Sequence, residues 1–309
     1  MQKVSLLVTT YNAKENLEIT LAGIEMQDYG LIEVVIVDGG SNDGTQDVIR
    51  EFAARHQNPA NLPDIGAKST DQGRISSDRV CIGGTCTERT CTDKICTDKT
   101  CTDKAYTDKT CTDRTCTDGA AALTVRWISE PDKGLYDAMN KAWAMCTGDI
   151  VAVCNDKLCT SDAVTKLVEA IGRGGAGCVG AHSDLVYVDG ERVVRTWHMG
   201  EGRLKDGWMP GHPALFLKRE IYERYGTYDI SYCCAADYEF MVRFLKDENN
   251  RLAYVPEVLI AMFYGGTSNA GLRNYLVSFK EGCMALRKNG VRHALIITVK
   301  RTLRVLRQF

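Results

Sequence analysis

Residues 32–45 read IEVVIVDGGSNDGT. Ile32 to Val37 is a nearly continuous run of Ile and Val, the composition of a parallel strand covered on both faces. It stops at Asp38 and enters Gly39-Gly40-Ser41-Asn42-Asp43-Gly44-Thr45, a polar, glycine-containing turn. A helical pattern then extends to about Arg55. A buried strand feeding a helix through a polar tip is half of a βαβ unit, so the fold depends on whether the flanks repeat it.

They do. Upstream, Val4–Thr10 (VSLLVTT) is an apolar strand, followed by a turn at Tyr11-Asn12-Ala13. A helix is predicted from about Glu15 to Gln27, its apolar face carried by Leu17, Leu21 and Ile24. Downstream come a strand at Leu123–Ile128, the loop SEPDKG (129–134), a helix from Tyr136 to Met145, and a strand Ile150–Cys154 tipped by Asn155-Asp156-Lys157. Strands alternating with helices predict an α/β fold: a Rossmann-like, doubly wound sheet with helices on both faces. Its ligands bind beyond the carboxyl ends of the strands. TTYN, DGGSNDG, SEPDKG and CNDK all occupy such ends, so four polar tips are expected around one crevice.

The 309 residues are 44% hydrophobic and 25% charged, with a net charge of −2, an ordinary globular composition. Near-neutral charge argues against nucleic acid as a partner. No apolar run reaches the roughly 18 residues of a spanning helix, and the N-terminal apolar stretch is too short for a signal peptide. The expected location is the cytoplasm. Of 14 cysteines, seven recur every five residues: Cys81, Cys86, Cys91, Cys96, Cys101, Cys111 and Cys116, with Tyr106 replacing one. Their repeat, cycling through TCTDK-like units, offers almost nothing large to bury and is expected to be a disordered insertion over 57–121. Thiolate metal binding is disfavoured because period five matches no compact CxxC knuckle. A pentapeptide β-coil would want a bulky apolar residue in each unit, and cross-linking needs an oxidising setting.

After residue 250, YVPEVLIAMFYGGTSNAG is read as a strand and a Gly-rich turn, followed by a long helical stretch from Leu272. Leu276, Phe279, Cys283, Leu286, Ile296, Val299, Leu303 and Leu306 fall near helical spacing, and Lys300, Arg301, Arg304 and Arg307 give a basic face. Two readings stand side by side: an amphipathic helix lying on an anionic membrane surface, or a helix packed on the main domain with solvated arginines. The expected organisation is a main domain over 1–56 and 122–250, the insertion, and a C-terminal extension over 251–309.

VSLLVTTYNAKENL, VVIVDGGSNDGT, SEPDKGLYDAMNKA, TGDIVAV and GHPALFLKREIYERYGTYD…AADYEFMVRF resemble family 2 glycosyltransferases of the GT-A fold. They do so in order and spacing along roughly residues 3–245. The bacterial polysaccharide and lipopolysaccharide branch is the most similar. The resemblance implies inverting transfer of a sugar from a nucleotide-sugar donor to a sugar or lipid-linked acceptor hydroxyl, in cell-surface polysaccharide biosynthesis. A lipid-linked acceptor would suit peripheral contact with the cytoplasmic face of the inner membrane.

It further implies that Thr9, Tyr11 and Asp38 lie at the base and ribose, and that Asp237 is the catalytic base. Residue chemistry is compatible: Asp38 offers an acceptor to a base N–H, and Tyr11 a stacking surface. Asp132 and Lys133 would meet ribose or phosphate, Lys133 supplying a cation near the pyrophosphate. His212 would orient acceptor or diphosphate. Local alternatives are a strand-end role for Tyr11, an N-cap or first-turn role for Asp237, a hydrogen-bonded core role for His212, and a solvated face for Asn140 and Lys141. Ser41 and Asp43 read best as turn and helix-cap residues, and Glu239 is expected to face elsewhere.

Relatives carry GDIIGFLNSDD or GDIIAFLNADD at the fourth strand, and the third tip residue is the carboxylate that binds Mg²⁺ or Mn²⁺. Here Asn155 keeps the Asn, Asp156 falls on the variable position, Lys157 on the metal-binding acid and Leu158 on the next. Three outcomes follow: Asp156 serves as a lone metal ligand, the Lys157 ammonium replaces the ion, or activity is lost. The expectation is a transferase with a weakened or substituted metal site. The alternative is an inactive nucleotide-sugar-binding or scaffold protein. A nucleotidyltransferase would want a Gly-rich basic phosphate loop after the first strand, which TTYNAKEN does not supply.

Overall fold

The computed structural model describes residues 1–56, 122–264 and 271–306. The cysteine repeat, the Gly-rich turn at 265–270 and Arg307 lie outside the described residues.

The strands are β1 (Val4–Thr10), β2 (Leu31–Asp38), β3 (Ala122–Ser129), β4 (Ile150–Val153), β5 (Lys157–Leu158), β6 (Cys178–Asp189), β7 (Arg192–Trp197), β8 (Leu215–Lys218) and β9 (Arg251–Phe263). The helices are α1 (Lys14–Glu25), α2 (Thr45–His56), α3 (Leu135–Met145), α4 (Ala163–Arg173), α5 (Arg219–Tyr225), α6 (Ala236–Leu245), α7 (Gly271–Lys288) and α8 (Ala294–Leu306). Among the described residues the strands form one 9-stranded sheet, ordered β3-β2-β1-β4-β8-β6-β9-β5, with β7 on β6. The first four run parallel. β8 is antiparallel to β4 and β6, and β9 is parallel to β6, which makes the sheet mixed.

Both faces are covered, as the unbroken Ile/Val runs require. Leu6, Val8, Val34, Ile36 and Ile150 pack on one side with Leu17, Leu21 and Ile24 of α1, Phe52 of α2 and Leu167 of α4. Leu7, Val35, Val37 and Val151 pack on the other with Met139 of α3 and Phe240 and Phe244 of α6. Each such buried side chain stabilises by about 1.5–3 kcal/mol. Register then sets the functional end: Thr10 pairs with Asp38, and Asp38 with Ser129. Three strand tips therefore finish level.

The structure corrects two expectations about the C-terminal segment. The strand after residue 250 does not open an extension; β9 lies inside the sheet, hydrogen-bonded between β6 and β5. Its sequence hides this because Pro256 has no N–H for a ladder. The chain bulges there: Ser183 pairs with Val255, and Asp184 next with Val258, leaving Pro256 and Glu257 unpaired. The long helical stretch is two helices, broken at Asn289-Gly290, where Gly290 has φ 72°. Cys283, Ala285, Leu286, Ala294 and Ile297 of these helices join the core layer beside Phe240, as the packed-helix reading anticipates. Leu295, Ile296, Val299 and Leu303 of α8 remain exposed.

Candidate active site

The wall of the crevice is built by one carboxylate. Asp38, 0% exposed, accepts hydrogen bonds from Ser129 Oγ (2.6 Å), Ser41 N (3.0 Å) and Gly40 N (3.2 Å), and from the Ser41 hydroxyl. It thereby ties the tip of β2 to that of β3 and shapes the turn between β2 and α2, in which Gly40 takes φ 86°. Ser41 Oγ also accepts from Asn12 N at 2.7 Å, which fixes the β1 tip to the same turn. Asp43 accepts from Thr45 N and Oγ1 and from Lys14 N, at the starts of α2 and α1. Ser41 and Asp43 thus hold turn and helix-start positions.

Tyr11 and Asp132 converge on Gly39. A Cβ at Gly39 would sit 2.7 Å from Asp132 Oδ2 and 3.2 Å from the Tyr11 ring. Tyr11 is 64% exposed, an aromatic surface open for stacking, with a carboxylate across the glycine from it. Asp132 also accepts from Gly134 N at 2.8 Å. The backbone N–H of Lys133 donates to Asp137 at 3.0 Å, and its side chain is exposed. On the other flank, Asn155 clasps Thr9: its Oδ1 accepts from Thr9 N (2.7 Å) and its Nδ2 donates to Thr9 Oγ1 (2.8 Å). This amide locks the β4 tip to β1.

A second cluster stands where α3 meets α6. Asp237, in the first turn of α6, accepts from Tyr238 N at 2.7 Å and from the Tyr136 hydroxyl at 3.3 Å. Burial and the Asp237 charge raise the Tyr136 pKa far above the ordinary phenol range, so the hydroxyl stays protonated as a donor. His212 Nε2 lies 2.8 Å from the Tyr228 hydroxyl. Burial lowers the His212 pKa, partly opposed by Asp237, so the ring is held toward its neutral form. His212 and Asp237 line one cavity of about 230 Å³ together with Trp208 and Met241. Sequence reading gave Tyr136 no role. The available signal was its place two residues beyond Gly134, in the first turn after SEPDKG.

The fourth tip behaves differently. Asp156 accepts a hydrogen bond from Phe263 N of β9 at 3.1 Å, and burial pushes its pKa up to about 6. It is not among the residues lining the Asp237 cavity. Lys157 is exposed in β5, paired in register with Ala261 of β9. Among the described residues no group of three or more His, Cys, Asp or Glu side chains is placed to hold a metal ion. Asp156 is thus a half-buried carboxylate engaged by a backbone N–H, followed in sequence by the exposed Lys157 ammonium.

The family model of glycosyl transferase family 2 matches residues 5–62 and 112–244, and the break between them, 63–111, falls within the segment 57–121 that carries the cysteine repeat. The chain is 24% identical over 277 residues to a PGL/p-HBAD biosynthesis glycosyltransferase of Mycobacterium bovis, covering 86% of the chain and 78% of that protein. Among solved structures it resembles S. aureus TarS 1–349 in complex with UDP (TM-score 0.60, 13% identity, 99% of this chain and 72% of that one). It also resembles the mannosyltransferase PcManGT of Pyrobaculum calidifontis in complex with GDP-Man and Mn²⁺ (TM-score 0.54, 15% identity, 99% and 74%). These structural likenesses carry the GT-A fold. With the family model matching more than half of its residues, the chain belongs to glycosyl transferase family 2 and is a glycosyltransferase.

Proposed function

We propose that this glycosyltransferase moves a sugar from a nucleotide-sugar donor to an acceptor hydroxyl with inversion, in the assembly of a cell-surface polysaccharide or lipid-linked glycan. The observation that carries the reading is the Tyr136–Asp237 hydrogen bond, which joins the helix following SEPDKG to the carboxylate of the second cluster. The nucleoside stacks on Tyr11 and meets Asp132 across Gly39. Asp38 and Thr9 act there by fixing the strand ends that form the wall. The acceptor oxygen attacks the anomeric carbon as Asp237 takes its proton. The bond from that carbon to the diphosphate breaks, and the electron pair leaves with the diphosphate. His212 orients the acceptor, and Lys133 faces the charge that develops on the leaving group. The residues over 57–121 are an insertion in this domain, supported by the break in the family match.

A panel of UDP- and GDP-sugars, each at about 100 times its Kd, is expected to stabilise the protein by about 2.7 kcal/mol for the true donor. That donor should then be consumed in the presence of a glycan acceptor. Stabilisation without turnover would support the non-catalytic donor-binding alternative, and no stabilisation by any donor would overturn both.

Mn²⁺ in the mannosyltransferase neighbour speaks for divalent metal use in this fold, whereas Lys157 at the acid position speaks for a weakened or substituted site here. EDTA is expected to lower the transfer rate by less than about tenfold, a loss of under about 1.4 kcal/mol of transition-state stabilisation. Complete loss in EDTA, together with a large gain from Lys157→Asp in Mn²⁺, would refute substitution by lysine.

Helix α8 supports peripheral membrane contact. Leu295, Ile296, Val299 and Leu303 are exposed, its sequence ALIITVKRTLRVL carries no acid, and Lys300 and Arg304 flank the apolar stripe. No helix among the described residues is long and apolar enough to cross a membrane. The full chain should float with phosphatidylglycerol liposomes and less with phosphatidylcholine ones, each basic residue near the surface adding about 1 kcal/mol. Equal recovery of wild type and an Ile296→Gln/Val299→Gln variant with anionic liposomes would count against the contact.

A further inference from the structure

The cavity that holds Asp237 also receives the last described helix of the chain. Arg301 and Arg304 of α8 line it together with Asp237 and His212. They stand one turn apart, on the side of α8 that carries the buried Ile297 and away from the exposed Ile296, Val299 and Leu303. Two glycines allow the approach. At Gly207, φ 71°, a Cβ would sit 2.5 Å from Arg301 N, so the turn before Trp208 and the α8 backbone touch. At Gly282 of α7 a Cβ would sit 3.1 Å from Arg301 Nη1, so the missing side chain leaves room for the guanidinium.

The charges at this wall do not balance. With His212 held toward its neutral form, two guanidinium groups stand against the one carboxylate of Asp237. Among the described residues neither arginine forms an ion pair, whereas the neighbouring Lys300 reaches Asp206 at 3.9 Å. Arg301 lies instead over the Tyr238 ring, its Cζ 4.1 Å from the centroid. A guanidinium keeps its charge and presents a fork of N–H donors, more than a ring with one hydroxyl oxygen can accept. A group with several anionic oxygens completes the set, and the fork geometry matches carboxylate and phosphoryl oxygens.

Position says which substrate carries that group. Tyr11, Asp132 and Lys133, the residues read as meeting the donor, do not line this cavity, whereas Asp237 and His212, read as meeting the acceptor, do. Trp197 and Trp208 also line it and suit the C–H faces of a sugar. Two cationic charges exceed the single charge of a uronate and match a phosphate ester or diphosphate. Both arginines lie past residue 244, where the family match ends, so the C-terminal helices supply this charge to the matched domain. Resting on the donor-to-acceptor reading above, we infer that the acceptor bears a phosphoryl group beside its sugar, bound by Arg301 and Arg304 so that the sugar hydroxyl meets Asp237. Two sources share that chemistry, a phosphosugar in solution and a sugar phosphate ester on a lipid carrier. The exposed apolar stripe of the same helix suits the second.

The test is calorimetric titration of the full chain, without donor, with glucosyl octyl phosphate, octyl glucoside, octyl glucuronide and glucose 1-phosphate. The phosphodiester is expected to bind at least about tenfold more tightly than octyl glucoside. Arg301→Ala and Arg304→Ala should each erase most of that preference and leave the Kd of the donor unchanged. Arg301→Lys should restore only part of it, because an ammonium is a point charge without the fork. Glucose 1-phosphate binding as tightly as the diester would assign the site to a soluble phosphosugar, and weaker binding to a lipid-carried one. Equal binding of diester and octyl glucoside, tighter binding of the glucuronide, a preference that survives both alanine substitutions, or a weakened donor Kd would overturn the inference. If Arg301→Ala fails to fold, the wild-type preference and the variant at the exposed Arg304 decide it. No turnover is read, so failure here leaves the donor reading standing, and failure of the donor panel leaves this binding to be scored by itself.

Discussion

Asp237→Asn is expected to lower kcat by about 10²–10⁴-fold, the usual worth of a positioned general base, with donor binding unchanged. The substitution preserves the shape of the side chain and its place in the first turn of α6. It removes only the capacity to take a proton. Tyr238 N and the Tyr136 hydroxyl donate to one carboxylate oxygen of Asp237 and fix it, as the proposed task requires. Tyr136→Phe should produce a smaller fall in kcat by releasing that orientation. If Asp237 were instead a first-turn acid serving the helix dipole, Asp237→Asn would cost about 0.3–1 kcal/mol of stability and leave the rate intact. Single-turnover transfer and thermal melts on the same preparations separate these. An unchanged kcat would remove Asp237 from the chemistry.

The largest stability effect is expected far from the crevice. Glu33 is 0% exposed in the middle of the β2 apolar run. Its carboxylate accepts from Ser5 Oγ (2.6 Å), Thr147 N (2.7 Å) and Thr147 Oγ1 (2.9 Å), and pairs with Lys3 Nζ (3.2 Å). Ser5 lies directly opposite on β1, and its hydroxyl oxygen also accepts from Gly148 N at 2.8 Å. One carboxylate thus pins β1, β2 and the approach to β4. Glu33→Ala strands these donors in a buried site, a loss of about 3–5 kcal/mol. At about 2–4 °C per kcal/mol, the melting temperature should drop by on the order of 10 °C. A drop within about 2 °C of zero would mean that water replaces the carboxylate without cost.

The same residue gives a pH dependence of known sign. Burial acts to raise the Glu33 pKa, but the hydrogen bonds from Ser5, Thr147 and Lys3 outweigh it and leave the group below its ordinary value. A depressed folded pKa contributes stability that is present above the unfolded value of about 4.3 and is lost as pH falls through the folded one. Wild type should therefore lose stability faster than Glu33→Ala as the pH is lowered below about 4.3.

The parts of the site that were legible sit where local pattern and chemistry coincide. Thr9 and Asp38 occupy strand ends fixed by apolar runs, Tyr11 and Asp132 the turns that follow β1 and β3, and level registers bring those ends together. Asp156 and Lys157 show the limit. The tip sequence showed that the acid was displaced, but not that Asp156 would hydrogen-bond to Phe263, 107 residues away. Tyr136 and Asn155 were readable as a first-turn residue and a retained tip residue, yet their partners Asp237 and Thr9 lie 101 and 146 positions distant.

By itself the sequence determined the alternation of buried strands and helices, the polar tips, the interruption by a cysteine repeat, and the family. All of these are written in periods of two or 3.6 residues or in contiguous motifs, which report the faces an element buries. Tertiary structure decided that β9 belongs inside the sheet, that Asp38 is sealed into the crevice wall, that Glu33 is a buried pin, and that His182 is buried against Trp208 and Tyr254. Each depends on which distant segments pack together, and a side chain's hydrogen-bond partners exist only once those segments meet.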